Sequence, residues 1–287
     1  MGVTKSLDGG AVWGRNYITT STVIAPLVGS GASLLSNYPV SNLANPLRTK
    51  TNRVTFDETN DTYSITFTFN SSVSVTNLAV AFVDWNLPAQ NSVPVTIAGL
   101  AGSTSPSWLV YPYATDNGVC RYYLDAKSSG STITGATSWK VIFDANSVGY
   151  GLDGFLEIGE IVFSTYIDVD ISTPFARTLV NPSVYATSYG GQEYADEKNM
   201  FNNIGVNTTP MNSTEMYTLQ ESIKQIGSAH TILDIHASSA STDGAYTTPV
   251  VLDKESTYYG RLKNGIKASI KGFNNAGLGL SFSEARK

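Results

Sequence analysis

Strict alternation of polar and apolar side chains is the feature of this sequence that most restricts its fold. Residues 62–69 alternate without interruption, and the apolar positions are Tyr63, Ile65, Phe67 and Phe69. In an extended strand, successive side chains point to opposite faces, so a period of two puts these four side chains on one face. The pattern predicts a half-buried β-strand, and the Asn70-Ser71-Ser72 sequence after it predicts a turn.

Further apolar runs predict more strands. The run Leu78–Val83 is apolar throughout, which indicates a strand that is buried on both faces. The other predicted strands are 139–143, 155–163, 166–171, 231–235, 258–262, 267–273 and 278–282. Short strands between loops rich in Ser, Gly and Asn favour a β-sandwich for residues 31–165.

One segment has a helical period instead. Asn212 with Glu215 has the spacing of a capping box, and Gly227 supplies a stop signal. Between them, apolar residues recur at intervals of three or four: Met216, Leu219, Ile223 and Ile226. The sequence therefore predicts a helix over residues 213–226 in a chain that is otherwise all β.

Charge is sparse in this chain. Only 14% of its residues are charged and the net charge is −5, whereas about 25% are charged in an average soluble domain. The densest cationic stretch holds Arg261, Lys263, Lys267 and Lys271, with apolar residues between them. Nucleic-acid binding needs clustered cations against the phosphates, so we expect no nucleic-acid partner and interpret this stretch as a solvated strand face.

Export signals, membrane spans and disulfides are not expected either. Residues 1–10 lack the basic start and apolar run of a signal peptide, and no apolar run approaches the roughly 20 residues that span a bilayer. Cys120 is the single cysteine, so an intrachain disulfide and a thiolate metal cluster are both excluded.

Three parts of the chain can be distinguished. Residues 1–30 are interrupted by Gly and Pro and carry two aromatic residues, Trp13 and Tyr17, which suggests an N-terminal arm. The arm could dock on a neighbouring subunit or fold back on its own domain. The sandwich of residues 31–165 follows, and residues 166–287 would form a second β domain that carries the helix.

Several short motifs resemble a known phage architecture. They are the "YP-x-SNL" segment at 38–43, Arg53, the strands at 62–69 and 75–83, and the Gly154-Phe155-Leu156-Glu157-Ile158-Gly159 sequence. Together they are similar to the amino-terminal galactose-binding-like (discoidin-like) sandwich of bacteriophage and prophage tail-associated proteins. The resemblance implies a jelly-roll sandwich followed by a second small β domain, and a subunit of a symmetric ring or collar in the virion.

A catalytic or metal-binding constellation is not evident. His230 and His236 flank a predicted strand, but no G-x-S-x-G elbow is present. With Asp234 they would be spread over about 13 Å or more of strand, too far to share one ion. Asp57, Asn60 and Asp61 lie in an oxygen-rich loop, which fits either a plain turn or the structural Ca²⁺ that discoidin-like sandwiches often hold. We therefore expect a protein that is not an enzyme and that needs no cofactor, with calcium as the one alternative.

Exposed aromatics next to polar groups are the remaining candidates for binding. Trp85 lies beside Asn86, and Trp108 lies near Tyr111 and Tyr113. These residues, like Trp13 and Tyr17, could stack on a sugar, anchor a protein interface, or pack within the chain.

The sequence thus predicts a structural component of a bacteriophage virion, a tail or tail-adjacent subunit such as an adaptor, baseplate or collar protein. It would fold in the bacterial cytoplasm, form a symmetric homo-oligomer and contact other virion proteins. The alternative is a carbohydrate-binding module of a phage receptor-binding or adhesion protein, with a host surface glycan as its partner.

Overall fold

Over the residues that the structure describes, the fold is almost entirely β-sheet, with one α-helix and one short 3₁₀ helix, Val40–Ala44. The computed structural model describes residues 10–29, 32–45, 50–56, 62–74, 78–84, 86, 95–100, 107–110, 118–124, 135–144, 155–169, 171–208, 212–235, 257–270 and 276–285. Its strands are β1 (Gly10–Trp13), β2 (Val23–Val28), β3 (Ala32–Leu34), β4 (Asn52–Phe56), β5 (Thr62–Ser74), β6 (Leu78–Val83), β7 (Val95–Leu100), β8 (Ser107–Val110), β9 (Val119–Leu124), β10 (Gly135–Asp144), β11 (Phe155–Ile158), β12 (Glu160–Val169), β13 (Ile171–Val180), β14 (Val184–Thr187), β15 (Glu193–Asp196), β16 (Phe201–Thr208), β17 (Thr231–Asp234), β18 (Thr257–Ile270) and β19 (Ala276–Glu284). The helix α1 is Ser213–Ile226, which confirms the predicted all-β fold with one helix at 213–226.

Two sheets pack face to face over the first half of the chain. A five-stranded sheet has the order β2-β5-β10-β7-β8, and it covers the β12-β6-β9 end of a nine-stranded sheet. Between the layers, the rings of Phe67 and Phe163 lie 5.6 Å apart, and those of Phe82 and Phe143 lie 5.9 Å apart. These contacts confirm the predicted β-sandwich.

The nine-stranded sheet joins the two halves of the chain. Its order is β13-β16-β19-β18-β17-β1-β12-β6-β9, and every pairing is antiparallel. The predicted boundary between residues 165 and 166 falls inside β12. The strand β1 lies between β12 and β17, so residues from the start and the end of the described chain share one sheet.

The predicted arm is part of this core. Of the two alternatives for residues 1–30, the described residues 10–28 fold back on their own chain: β1 is central in the large sheet and β2 is at the edge of the five-stranded sheet. The side chain of Trp13 is 0% exposed.

The helix covers the other end of the large sheet. Leu219 and Ile226 are buried against a cluster that includes Ile204, Leu280 and Phe282. The capping box is present, with Glu215 N donating to Asn212 Oδ1 at 2.9 Å and Asn212 N donating to Glu215 Oε2 at 3.0 Å. In the described part of the chain, this helix is too short and too polar to cross a bilayer.

Three predicted strand boundaries need correction. Residues 70–72 do not form a turn, because β5 continues to Ser74 and the extra residues form an irregularity opposite the 136–138 segment of β10. The strand predicted at 258–262 and the described part of the strand predicted at 267–273, residues 267–270, belong to one strand, β18, with an irregularity between Lys263 and Lys267. The strand predicted at 155–163 is divided at Gly159, where the chain passes from the β11-β4-β3 sheet to the large sheet.

Candidate functional site

An open cleft lies between segment 14–21, which follows β1, and the second half of α1. It encloses about 680 Å³. The lining residues are Gly14, Arg15, Asn16, Tyr17, Thr19, Thr20, Ser21, Thr165, Ser222 and Gln225. Most of them carry hydroxyl, amide or guanidinium groups, so the cleft is rich in hydrogen-bonding groups around one aromatic ring.

Backbone hydrogen bonds fix the first wall of the cleft. Gly14 N donates to Thr165 O and Tyr17 N donates to Phe163 O, each at 2.7 Å. A side chain at position 14 would crowd this contact, because a Cβ there would come within 3.2 Å of the Ser164 hydroxyl. Segment 14–17 therefore runs along β12 in a fixed position.

The side chain of Asn16 holds the same wall. Its Nδ2 donates to Glu160 Oε1 at 2.9 Å and to Ile161 O at 3.2 Å. Its Oδ1 accepts from Ile18 N and Phe163 N, each at 3.0 Å. An amide has two donor hydrogens and one acceptor oxygen with two lone pairs, so this side chain is fully engaged. Asn16 therefore positions the wall and offers nothing to a ligand.

Below the wall, two buried polar clusters connect distant strands. Glu160, which accepts from Asn16, also accepts from the hydroxyl of Tyr259, and the His230 ring stacks on Tyr259 at 5.1 Å. In the second cluster, Arg121 on β9 pairs with Asp234 on β17. Asp234 also accepts from the Thr257 hydroxyl at 3.1 Å. These contacts link β12 to β18, β9 to β17, and β17 to β18.

Tyr17 is the aromatic residue of the cleft. Its half-buried ring packs edge-on against Phe69, with the ring centroids 6.1 Å apart. Its backbone N–H donates a hydrogen bond to Phe163 O on β12, so both the backbone and the ring of Tyr17 are fixed by contacts. The ring is thus oriented before any ligand arrives.

The second wall is a polar face of α1. Ser222 and Gln225 are three residues apart, so they lie next to each other on the helix surface. Across the cleft from them, Arg15 is exposed. Among the described residues around the cleft, Arg15 supplies a cation and none supplies a carboxylate.

Asn86, another predicted binding residue, has a structural role in the protein. Its Nδ2 donates to Phe155 O at 2.9 Å, and its Oδ1 accepts from Glu157 N at 2.7 Å. Next to it, the Arg53 guanidinium lies between the rings of Tyr38 and Phe155, 4.3 Å from each centroid, and pairs with Glu157. The motif residues that carried the phage resemblance therefore meet here and fasten β4 to β11.

Among the other predicted residues that the structure describes, Trp13 does not line the cleft. Trp13 is fully buried in the chain's own core, where a ligand or a neighbouring subunit could not reach it. Trp108 lies on β8, at the edge of the five-stranded sheet. Outside the described residues lie Trp85, Tyr111, Tyr113, His236 and the calcium candidates Asp57, Asn60 and Asp61.

Sequence reasoning missed most of this cleft. It identified Tyr17 but not Arg15, Ser222 or Gln225. Segment 14–21 and α1 are about two hundred residues apart in the sequence, and no local pattern indicates that they meet. Only the position of β1 beside β12 and β17 brings them together.

Neither a protein-family model nor a curated protein matches this chain. The solved structures that resemble this chain include three binding modules. One is a family 32 carbohydrate-binding module of C. perfringens NanJ in complex with galactose, which is 14% identical to this chain with a TM-score of 0.37. The match covers 55% of this chain and 99% of the module.

A second module from Clostridium perfringens, in complex with GalNAc-β-1,3-galactose, is 10% identical to this chain with a TM-score of 0.37. The match covers 52% of this chain and 99% of that module. Chitosan-binding module 1 of a chitosanase/glucanase from Paenibacillus sp. IK-5 is 15% identical with a TM-score of 0.35, and 52% of this chain covers 98% of it. Scores of this size do not transfer a ligand or a function to this chain.

Proposed function

We propose that this chain is a carbohydrate-binding protein without catalytic activity, and that the cleft between segment 14–21 and α1 is its binding site. The observation that carries the proposal is the fixed ring of Tyr17 among uncharged hydrogen-bonding groups and one cation. A sugar ring offers an apolar face of C–H groups and a rim of hydroxyl groups. An aromatic ring suits the first, and hydroxyl, amide and guanidinium groups suit the second.

The dimensions and rigidity of the cleft support the proposal. Small-molecule sites are usually clefts of about 300–1,000 Å³ with a few well-placed polar groups, and this cleft falls within that range at about 680 Å³. Because segment 14–17 is already held against β12, little conformational entropy is lost when a ligand binds. The proposal rests on this geometry and takes nothing from the ligands of the structures compared above.

The test is a glycan array with the full chain, followed by calorimetric titration of the best saccharide. We expect Tyr17→Ala and Gln225→Ala to weaken binding by about 10-fold or more, since each would leave sugar groups unpaired or uncovered. The matched controls are Tyr217→Ala and Gln220→Ala, which alter α1 outside the cleft. Absence of any bound saccharide, or equal affinity of all four variants, would exclude this site.

A structural role in a bacteriophage particle is the second candidate function. One observation favours it: the hairpin formed by β14 and β15 projects from the sheet with tyrosines exposed on both of its strands. Exposed apolar surface of this kind is typical of protein interfaces. Mass spectrometry of purified particles tests this candidate, and the chain should be present in a fixed copy number. Its absence from purified particles would exclude it.

A further inference from the structure

The β14–β15 hairpin is an extension of the edge of the large sheet. The strands β13 and β16 pair up to Val180 and Phe201, and the chain between them continues as the hairpin 184–196. All residues of β14 and β15 are exposed. A two-stranded hairpin without a covering layer is only marginally stable in water. The hairpin therefore has two uncovered faces and gains stability from any surface that covers one.

The composition of the hairpin suits an interface. Tyr185 is 68% exposed, Tyr194 is 58% exposed, and Tyr189 at the tip is fully exposed. Tyrosine is enriched among the residues that contribute most to binding at protein interfaces. The hairpin region 181–200 also carries three carboxylates, Glu193, Asp196 and Glu197, against one lysine. A partner for the hairpin should therefore be flat and positively charged.

The same chain has a surface of that kind. Strand pairing places Arg261 in one row with Ser283, Asn203 and Thr178 across β18, β19, β16 and β13. The neighbouring row on the same face runs from Lys263 through Ser281 and Gly205 to Ala176. In these two rows the charged side chains are cations only, and the other residues are small: Ser, Thr, Asn, Ala and Gly.

This face is open to solvent. Arg261, Lys263 and Ser281 are exposed, and a Cβ added at Gly205 would meet only the Ala176 Cβ, at 3.8 Å. Lys263 lies over the Phe201 ring at 5.5 Å and donates to Asn203 Oδ1 at 3.1 Å, so its charge stays at the surface of the sheet. Flat tyrosine rings can lie on such a surface without a clash.

We propose that the hairpin 184–196 of one copy docks on the open sheet face around Arg261 and Lys263 of a second copy. The face of the hairpin that carries Tyr185 and Glu193 lies on the sheet, so that Glu193 lies against the two cations and Tyr185 lies on the small residues. The contact joins two different surfaces of the chain, so each copy can give one hairpin and receive another. Repetition of such a contact builds a closed ring or a filament. This interaction surface is separate from the cleft.

Charge reversal tests this pairing with the full chain. One variant carries Glu193→Lys and Asp196→Lys, and the other carries Arg261→Glu and Lys263→Glu. Mass in solution would be measured by light scattering over a range of concentrations at low salt. We expect the wild type to form oligomers and each variant alone to need on the order of 10-fold higher concentration or more, because like charges then face each other.

An equimolar mixture of the two variants is the decisive measurement. In the mixture, the basic hairpin of one variant meets the acidic face of the other, while the two unaltered surfaces also match. Recovery of the wild-type mass supports the proposal, because variants that had misfolded would not assemble when they are mixed. A wild type that stays monomeric at every concentration overturns it, as does an oligomer that both variants leave unchanged or a mixture that does not recover.

Discussion

At the scale of single residues, the ion pair between Arg121 and Asp234 is the most deeply buried charge interaction in the described chain. The two side chains are 2% and 0% exposed, and they link β9 to β17 across the curl of the sheet. Removing one partner of such a pair leaves the other charge buried without its counterion, which costs far more than a surface pair is worth.

We therefore expect Asp234→Asn to lower the free energy of unfolding by about 3 kcal/mol or more, because the amide cannot neutralise Arg121. Urea denaturation at neutral pH measures the difference. Glu197→Gln removes an exposed carboxylate outside the hairpin 184–196 and serves as the control, with an expected change within about 0.5 kcal/mol. A loss of less than about 1 kcal/mol for Asp234→Asn would mean that the pair is hydrated in solution.

Tyr63 makes stability depend on pH in the alkaline range. Burial raises the pKa of Tyr63 above its ordinary value of 10.0. The folded state then keeps the phenolic proton at pH values where the unfolded chain releases it. The contribution of Tyr63 to the free energy of unfolding is fully present below pH 10. It is lost as the pH rises above 10, because unfolding then releases a proton.

The variant Tyr63→Phe lacks this proton. Below pH 10 we expect it to be about 1 kcal/mol less stable than the wild type, because its ring cannot donate to Asn52. Above pH 10 the wild type loses up to about 1.4 kcal/mol per pH unit relative to the variant, so the two curves converge and then cross. Unfolding free energies between pH 8 and pH 11 test this, with the exposed Tyr217→Phe as a baseline. Parallel curves for Tyr63→Phe and the wild type would contradict the prediction.

At the scale of elements, the ends of α1 were the most accurately predicted feature. The signals that define this helix are local: the capping box at Asn212 and Glu215, the apolar spacing, and Gly227 with a φ of 57° at the end. Each of these acts within a few residues, so sequence alone contains them.

The same locality yields a prediction for α1. Asn212→Ala removes the side-chain acceptor for Glu215 N, so we expect a loss of about 1 kcal/mol in the free energy of unfolding. Thermal denaturation followed by circular dichroism measures it. Asn207→Ala, on an exposed strand position, is the control. A loss of the same size in both variants would show that the cap does not contribute specifically.

Strand ends were predicted less well, because strand continuity depends on the partner strand. Asn70, Ser71 and Ser72 have the composition of a turn, yet β10 continues beside them and absorbs them as an irregularity in the pairing. In β18 the residues between Lys263 and Lys267 likewise form an irregularity in the pairing with β19, and the strand continues. The residues of a bulge and of a turn are alike, and only the neighbouring strand decides which one forms.

At the scale of the whole molecule, the continuous large sheet could not be read from the sequence. Ala11 pairs with Asp168 on one side and with Asp234 on the other, and nothing in the short β1 segment indicates these partners. The cleft depends on that placement, which explains why Tyr17 could be singled out as an aromatic while its surroundings could not.

The division into domains at 31–165 and 166–287 stays a prediction, and the continuous sheet suggests how to test it. Because β12 crosses the boundary and β1 is bound on both sides, we expect one cooperative thermal transition. In calorimetry, the measured enthalpy should equal the van't Hoff enthalpy. Two separate transitions would instead support independent domains.

The position of β1 also has a consequence for the order of events during synthesis. Trp13 O accepts a hydrogen bond from the Thr231 hydroxyl at 2.7 Å, so one neighbour of β1 is made more than two hundred residues later. At about 5–20 residues per second, this interval is on the order of ten seconds or more. During that time β1 has an open edge, first on both sides and, once β12 has been made, on the side of β17, and pairings between distant segments form slowly. The nascent chain therefore waits with its central sheet incomplete until β17 leaves the ribosome, and that interval is when a chaperone would be needed most.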